Sequence, residues 1–215
     1  IRSLLPEKGL VLVAGLGNSD ITPDDLGPRT ANMILATRHI SEELARAVGL
    51  IGLRPVAVLA PGVLGQTGIE TGELLYSIVQ RLSPAALIVV DALASRRLDR
   101  LGCTLQISDT GISPGSGVGN ARPHISRETM GVPVISMGVP TVVDAATLAA
   151  DLLHCEDDAE QEQVRCRVSP RGEDMMVTPR EIDLLIERAA QLTGMAINCA
   201  VQPGFSVEDL TALVS

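Results

Sequence analysis

The run Ala85-Ala86-Leu87-Ile88-Val89-Val90-Asp91 places six aliphatic residues in a row and closes them with a carboxylate. A strand of that composition has no polar face, so both of its sides must be covered. Similar runs occur at 9–15 (Gly-Leu-Val-Leu-Val-Ala-Gly), 54–60 and 133–138, and a fourth kind of strand signal lies at 103–108. Helical spacing separates them at 27–40, 71–82 and 142–154. Pro28 suits the first turn of one helix, and Glu70 with Glu73 suits the positive start of another. Strands that are apolar throughout, alternating with helices, predict a three-layer α/β fold: a mostly parallel, twisted sheet with helices on both faces.

Only one Phe, one Tyr and no Trp are present although 46% of the residues are hydrophobic, so the core must be aliphatic. The scarcity of aromatics also removes the base-stacking platforms of single-strand nucleic-acid modules. A net charge of −9 repels phosphate backbones, so no direct nucleic-acid partner is expected. At 215 residues the chain fits one domain over 1–215, with a polar insert around 155–176 read as a surface excursion. Beyond it, Thr178-Pro179-Arg180-Glu181 reads as a capping box opening a helix that Gly194 stops, and a last helix is expected at 207–214.

No apolar run reaches the ~18 residues of a membrane span, so no membrane partner is expected. The charged opening nine residues are not a signal peptide, and a cytoplasmic location follows as the expectation. The chain opens on Ile1 rather than Met, as a processed or partial form would. Cys103, Cys155, Cys166 and Cys199 form no CxxC pair or zinc-finger spacing, and free thiols are expected.

Two aspartates carry the functional signal. Asp91 closes an aliphatic strand, and Asp24 lies in the loop GLGNSDITPDDLGP (15–28) that follows the first strand. Open α/β sheets place ligands beyond the carboxyl ends of their strands, so the two acids are candidates to face one crevice. Paired carboxylates can share a proton and activate water. Asp25 is the better candidate to cap the following helix. The same loop is no dinucleotide cradle: position 20 is Asp rather than the third glycine, and its acids repel pyrophosphate. Its glycines suit a tight turn that carries Asp24 inward.

A second loop, 109–120, is dense in glycine (Asp-Thr-Gly-Ile-Ser-Pro-Gly-Ser-Gly-Val-Gly-Asn) and lacks the Lys of a phosphate-binding loop. Such a loop suits either the approach of backbone N–H groups to an extended peptide or a flexible crossing segment. Ser113 and Ser116 would be nucleophiles only with a base beside them, and no G-x-S-x-G elbow is present. His39 and His154 have ordinary helix-end explanations, whereas His124 follows the glycine loop and is a candidate to approach the crevice. A divalent ion held by Asp24, Asp91 and His124 is the rival to a metal-free pair.

Taken together, GLGNSDITPDDLGP, Thr37-Arg38-His39, APGVLGQTGIET (60–71), VVDALASR (89–96), QISDTGISPGSGVGN (106–120), GVPTVVDAATL (138–148) and MMVTPREID (175–183) resemble the spore germination protease family, in the same order along most of the chain. The resemblance implies an endopeptidase that degrades small acid-soluble spore proteins in the spore core, with a fold like that of the hydrogenase maturation proteases. It implies catalytic acids at Asp24 and Asp91, with no cofactor or metal. It also implies a zymogen that processes itself near its N-terminus, and a homo-oligomer, usually a tetramer. On this basis the loop residues Gly111, Gly115, Ser116, Gly117, Gly119 and Asn120 are expected to line the substrate. Two departures stand out: the ten residues before Val11 are shorter than the family's usual N-terminal region, and Ser113 stands where the family pattern has His. A shortened, non-catalytic binder of spore proteins is therefore the alternative from another functional class.

Overall fold

A computed structural model describes residues 1–119, 122–155, 157–169 and 175–214. In chain order the elements are β1 (Val11–Gly15), a 3-10 turn (Thr22–Asp24), α1 (Leu26–Asn32), α2 (Glu42–Ala47), β2 (Val56–Leu59), α3 (Leu64–Thr67) and α4 (Thr71–Leu82). They continue with β3 (Ala86–Ser95), β4 (Gln106–Ser108), α5 (Arg127–Met130), β5 (Val134–Asp144), α6 (Ala145–Leu152), α7 (Asp158–Val168), β6 (Met176–Val177), α8 (Ile182–Val201) and α9 (Val207–Val214).

The aliphatic runs pair as one mostly parallel sheet in the order β2-β1-β3-β5-β4, with β6 added to β5. The pairs β1–β2, β1–β3 and β3–β5 are parallel, and β4 and β6 run antiparallel to β5. Alternate residues of each central strand enter two cores, one per face. On one face Val13, Ile88, Val90 and Met137 pack with Leu26 of α1 and Ile186 and Ile197 of α8. On the other, Leu12, Leu87 and Val89 pack with Leu75 and Val79 of α4 and Met130 of α5. Each such side chain contributes roughly 1.5–3 kcal/mol of burial, without any help from aromatics. The three-layer α/β architecture is as the sequence predicts. Among the described residues no helix is long and apolar enough to cross a membrane. All four cysteines are free thiols.

Several element boundaries differ from the sequence expectation, each for a tertiary reason. The helix expected over 27–40 stops at Asn32. Two amides from α8 and its end take over the backbone beyond it: Asn198 accepts from Leu35 N at 3.0 Å and donates to the Met33 carbonyl at 2.9 Å. Gln202 accepts from Arg54 N and donates to the Arg54 carbonyl, both at 2.8 Å. Asn198 and Gln202 are fully buried, so these bonds replace water for the segment between α1 and β2. Gly194 does not stop α8, which runs on to Val201. A Cβ on Gly194 would lie 2.9 Å from the Met33 Cβ, so this glycine lets the chain leaving α1 pack closely on α8. Nor does Thr178 cap α8; its hydroxyl donates to the Thr141 carbonyl at 2.9 Å.

The strand expected to close at Asp91 continues to Ser95 because β5 keeps pairing with it, from Asp91↔Gly138 to Ser95↔Val143. β5 is correspondingly longer, so α6 begins at Ala145 rather than 142, capped by the Asp144 carboxylate, which accepts from Thr147 N at 3.0 Å. The strand expected over 103–108 is confined to Gln106–Ser108. Within the polar stretch at 155–176, residues 158–168 form α7, which begins where Asp157 accepts from Glu160 N at 2.7 Å.

Removing the Gln202 amide leaves the Arg54 N–H without its partner and takes one of two donors from the Arg54 carbonyl, which keeps the Thr37 hydroxyl. An unmade buried hydrogen bond costs about 1–3 kcal/mol. Gln202→Ala is therefore expected to lower stability by about 2 kcal/mol or more, read as a lower urea midpoint with an unchanged slope; an unaltered midpoint contradicts this reading.

Candidate functional site

β1 ends opposite Val90, one residue before Asp91, while β5 stays paired with β3 through Ser95. The sheet is thus open on one side of β3 from Asp91 onward, and the loop leaving β1 folds back over this gap. Three glycines make the fold-back possible. A Cβ on Gly15 would lie 2.0 Å from the Gly27 carbonyl oxygen, and one on Gly27 would lie 2.1 Å from that of Leu16. Gly17 has φ 121°, and a Cβ there would lie 1.9 Å from the Asp24 carbonyl oxygen. Side chains at these positions would push Asp24 off the sheet.

The 3-10 turn, with Pro23 in its first positions, then presents the Asp24 carboxyl, which accepts from Asn18 N at 2.8 Å. Its neighbour Asp25 stands at the N-cap of α1 but makes no side-chain cap; it is buried against Arg29 Nε at 2.5 Å. Arg29 therefore holds Asp25 in an ion pair, and Asp25 does not line the cleft described next.

Asp91 sits inside the sheet and is 5% exposed. Burial pushes its carboxyl up to about 8, and the negative charge of Asp24 adds to this against the Ala92 N–H bond. Burial also raises the Asp24 carboxyl, opposed by the Asn18 N–H bond and helped by the charge of Asp25. The charge of Asp24 thus helps to keep the proton on Asp91, as expected of two acids that share one site.

Both acids line a cleft of about 1180 Å³. This exceeds the usual range of ~300–1,000 Å³ for small-ligand pockets and suits an extended chain. Gly115, Ser116 and Gly117 form part of its wall. Gly117 packs against β3, where an added Cβ would lie 2.5 Å from that of Ala94. Gly111 and Gly119 are not among the lining residues; Gly111 sits at the neck of the loop, where a Cβ would lie 2.3 Å from the Ile125 carbonyl oxygen. Asn120 lies outside the described residues.

Residues that sequence reasoning missed also line the cleft. Arg96, Arg97 and Arg100 border it beyond the end of β3, and Glu70 pairs with Arg122 at 3.1 Å. Thr141 is the unpaired residue of a bulge where β5 shifts register against Leu93 and Ala94. Seeing these required knowing that β3 and β5 run on past Asp91. His124 is exposed and is not among the lining residues, so it does not join the two acids. Its Nδ1 lies 2.8 Å from the Ser113 hydroxyl, and Ser113 does line the cleft. Among the described residues no three His, Cys, Asp or Glu side chains gather in a group able to hold a metal ion.

Comparison with known proteins agrees with this architecture. Residues 3–155 match the germination protease family. The germination protease of Caldanaerobacter subterraneus subsp. tengcongensis is 46% identical over 226 residues, covering 95% of this chain and 69% of that protein. That of Clostridium perfringens is 42% identical over 233 residues, covering 98% of this chain and 71% of that protein. Among solved structures, the NiFe hydrogenase maturation protease HycI from Thermococcus kodakarensis superposes with a TM-score of 0.51 at 16% identity, over 93% of this chain and 97% of that one, a likeness of fold. The chain belongs to the germination protease family.

Proposed function

We propose that the chain is an endopeptidase that cleaves small acid-soluble spore proteins during germination, with Asp24 and Asp91 as its catalytic acids. In this reading it acts as one α/β peptidase unit over residues 1–215, in the spore core. The supporting observation is that two carboxyls, both raised by burial, line one cleft, one of them held near 8 inside the sheet. In this reading Asp24 serves as the ionised group and Asp91 as the group that keeps its proton. Asp24 then takes a proton from a water as the water oxygen attacks the scissile carbonyl. Asp91 donates a hydrogen bond to the carbonyl oxygen and stabilises the negative charge that develops there. Collapse of the tetrahedral species breaks the C–N bond, and the proton held by Asp24 passes to the leaving amine.

Asp24→Asn and Asp91→Asn each remove one role. Positioned acid–base groups supply about 10²- to 10⁴-fold in rate. Each variant is expected to lose cleavage of a purified small acid-soluble spore protein by that factor, followed by mass spectrometry of the products. Wild-type cleavage by either variant rules out the pair, and binding without cleavage by the unmodified chain favours a non-catalytic binder.

The pH dependence carries a sign. Activity needs Asp91 protonated, so the rate is expected to fall as pH rises through about 8, and to fall in acid as Asp24 takes up a proton. Asp91→Glu or a neutral replacement cannot preserve that upper limb unchanged. Stability follows the same group. The folded protein holds the Asp91 proton to a higher pH than the unfolded chain, whose aspartates titrate near ~3.9. Between these values folding binds a proton, so stability decreases as pH rises from about 4 to about 8. Asp91→Asn removes this penalty and is expected to raise the Tm at pH 8 relative to the unmodified chain, with little difference at pH 4; an equal Tm at both pH values contradicts the burial argument.

A further inference from the structure

The glycine-rich loop holds a second constellation that the aspartate pair leaves unused. Ile112 and Ile125 exchange backbone hydrogen bonds at 2.9 and 2.8 Å and close the neck of the loop. Further into the loop, Arg122 N donates to the Pro114 carbonyl at 3.0 Å. Ser113 and His124 lie between these two pairings, so the backbone fixes both of them. The Ser113 hydroxyl lies 2.8 Å from His124 Nδ1, and His124 Nε2 lies 3.1 Å from the Thr110 carbonyl oxygen. A carbonyl oxygen only accepts, so Nε2 must carry the ring proton in the neutral imidazole. Nδ1 is then the lone-pair nitrogen and accepts from Ser113. This is the arrangement of a nucleophile, a base and an orienting group, with a backbone carbonyl in the third role.

Three further observations bear on chemistry here. Ser113 is half-buried and lines the 1180 Å³ cleft, so this residue belongs to the wall that a bound molecule meets. The Thr129 hydroxyl donates to the His124 carbonyl at 2.9 Å and so holds the backbone of the histidine. The N–H groups of Gly115 and Gly117 lie on the same stretch of wall, as candidates to face an oxyanion.

We propose that Ser113 and His124 form a second, acyl-transfer centre in the wall of the cleft, taking small activated esters. The Ser113 oxygen attacks the ester carbonyl as its proton moves to Nδ1 of His124. The acyl C–O bond to the leaving alcohol breaks, and the imidazolium returns the proton to that alcohol. Water then attacks the acyl-serine with His124 again taking the proton, and the carboxylic acid leaves as the serine oxygen recovers it. This chemistry is separate from peptide cleavage by the two aspartates and does not rest on it.

The test uses the full chain and an alkyl fluorophosphonate, which forms a P–O bond to an activated serine as the P–F bond breaks and fluoride leaves with the hydroxyl proton. The expected result is one phosphonyl group per chain, mapped to Ser113 by peptide mass, and none at that position in Ser113→Ala. His124→Gln, which keeps a polar group at the neck, is expected to slow the labelling of Ser113 about tenfold or more. p-Nitrophenyl acetate should give a burst of one equivalent of nitrophenol that both variants lose. The proposal is overturned if Ser113 stays unlabelled, if other serines label at the same rate, or if His124→Gln labels like the unmodified chain. Should Ser113→Ala fail to fold, the His124→Gln rate still decides. The readout is a covalent mark on Ser113, so its failure leaves the aspartate reading untouched, and failure of peptide cleavage leaves this one untouched.

Discussion

A carboxyl group buried in an aliphatic sheet is the constraint around which the site is arranged. Asp91 stands in line with Ile88, Val89 and Val90, with aliphatic residues on both sides of it along the strand. Ionising it there means desolvating a charge beside that of Asp24, and the protein answers by keeping the proton to about 8. Burial raises the neighbouring acid as well, and there the Asn18 N–H bond works against it. The two carboxyls sit in different surroundings, Asp91 inside the sheet and Asp24 on the turn beyond β1.

The geometry that holds this pair is mostly backbone. Gly15, Gly17 and Gly27 permit the loop after β1 to fold onto its own strand and onto the carbonyl of Val90. A glycine on the other side, Gly138, does the same for β5, where a Cβ would lie 2.8 Å from the Asp91 carbonyl oxygen. Past Asp91 the long pairing of β3 with β5 carries the cleft floor outward, and the bulge at Thr141 shifts its register. The arginines at 96, 97 and 100 therefore border the same cleft as the acids, giving it a cationic end in a chain of net charge −9. That separation of sign gives the cleft a field directed along its length.

Where local signals and tertiary demand agreed, the sequence was legible. α4 occupies 71–82 as expected, because its apolar spacing buries Leu75 and Val79, and it ends at Ser83 in a left-handed conformation with φ 46°. The sheet and its covered faces were readable from the aliphatic runs alone. The early end of α1 was not, since the amides that replace its hydrogen bonds come from Asn198 and Gln202, more than a hundred residues away. α7 has one buried apolar residue, Val164, so periodicity could not reveal it, although Asp157 and Glu160 stood as a start signal. At the site, strand-end position pointed to Asp24 and Asp91, but it could not show that Asp25 is held by Arg29. The Ser113–His124 contact was invisible for a similar reason: the two residues are eleven apart and meet only because the Ile112–Ile125 neck is closed.

Everything at the site turns on the Asp91 proton, which burial and the charge of Asp24 hold into the neutral range. Site-resolved carboxyl ¹³C NMR of the aspartates across a pH titration measures this directly. The account predicts that the Asp91 carboxyl titrates near 8, and that Asp24→Asn moves its midpoint down by removing the charge beside it. An Asp91 midpoint within the ordinary aspartate range near ~4, or one that Asp24→Asn leaves in place, would contradict the account.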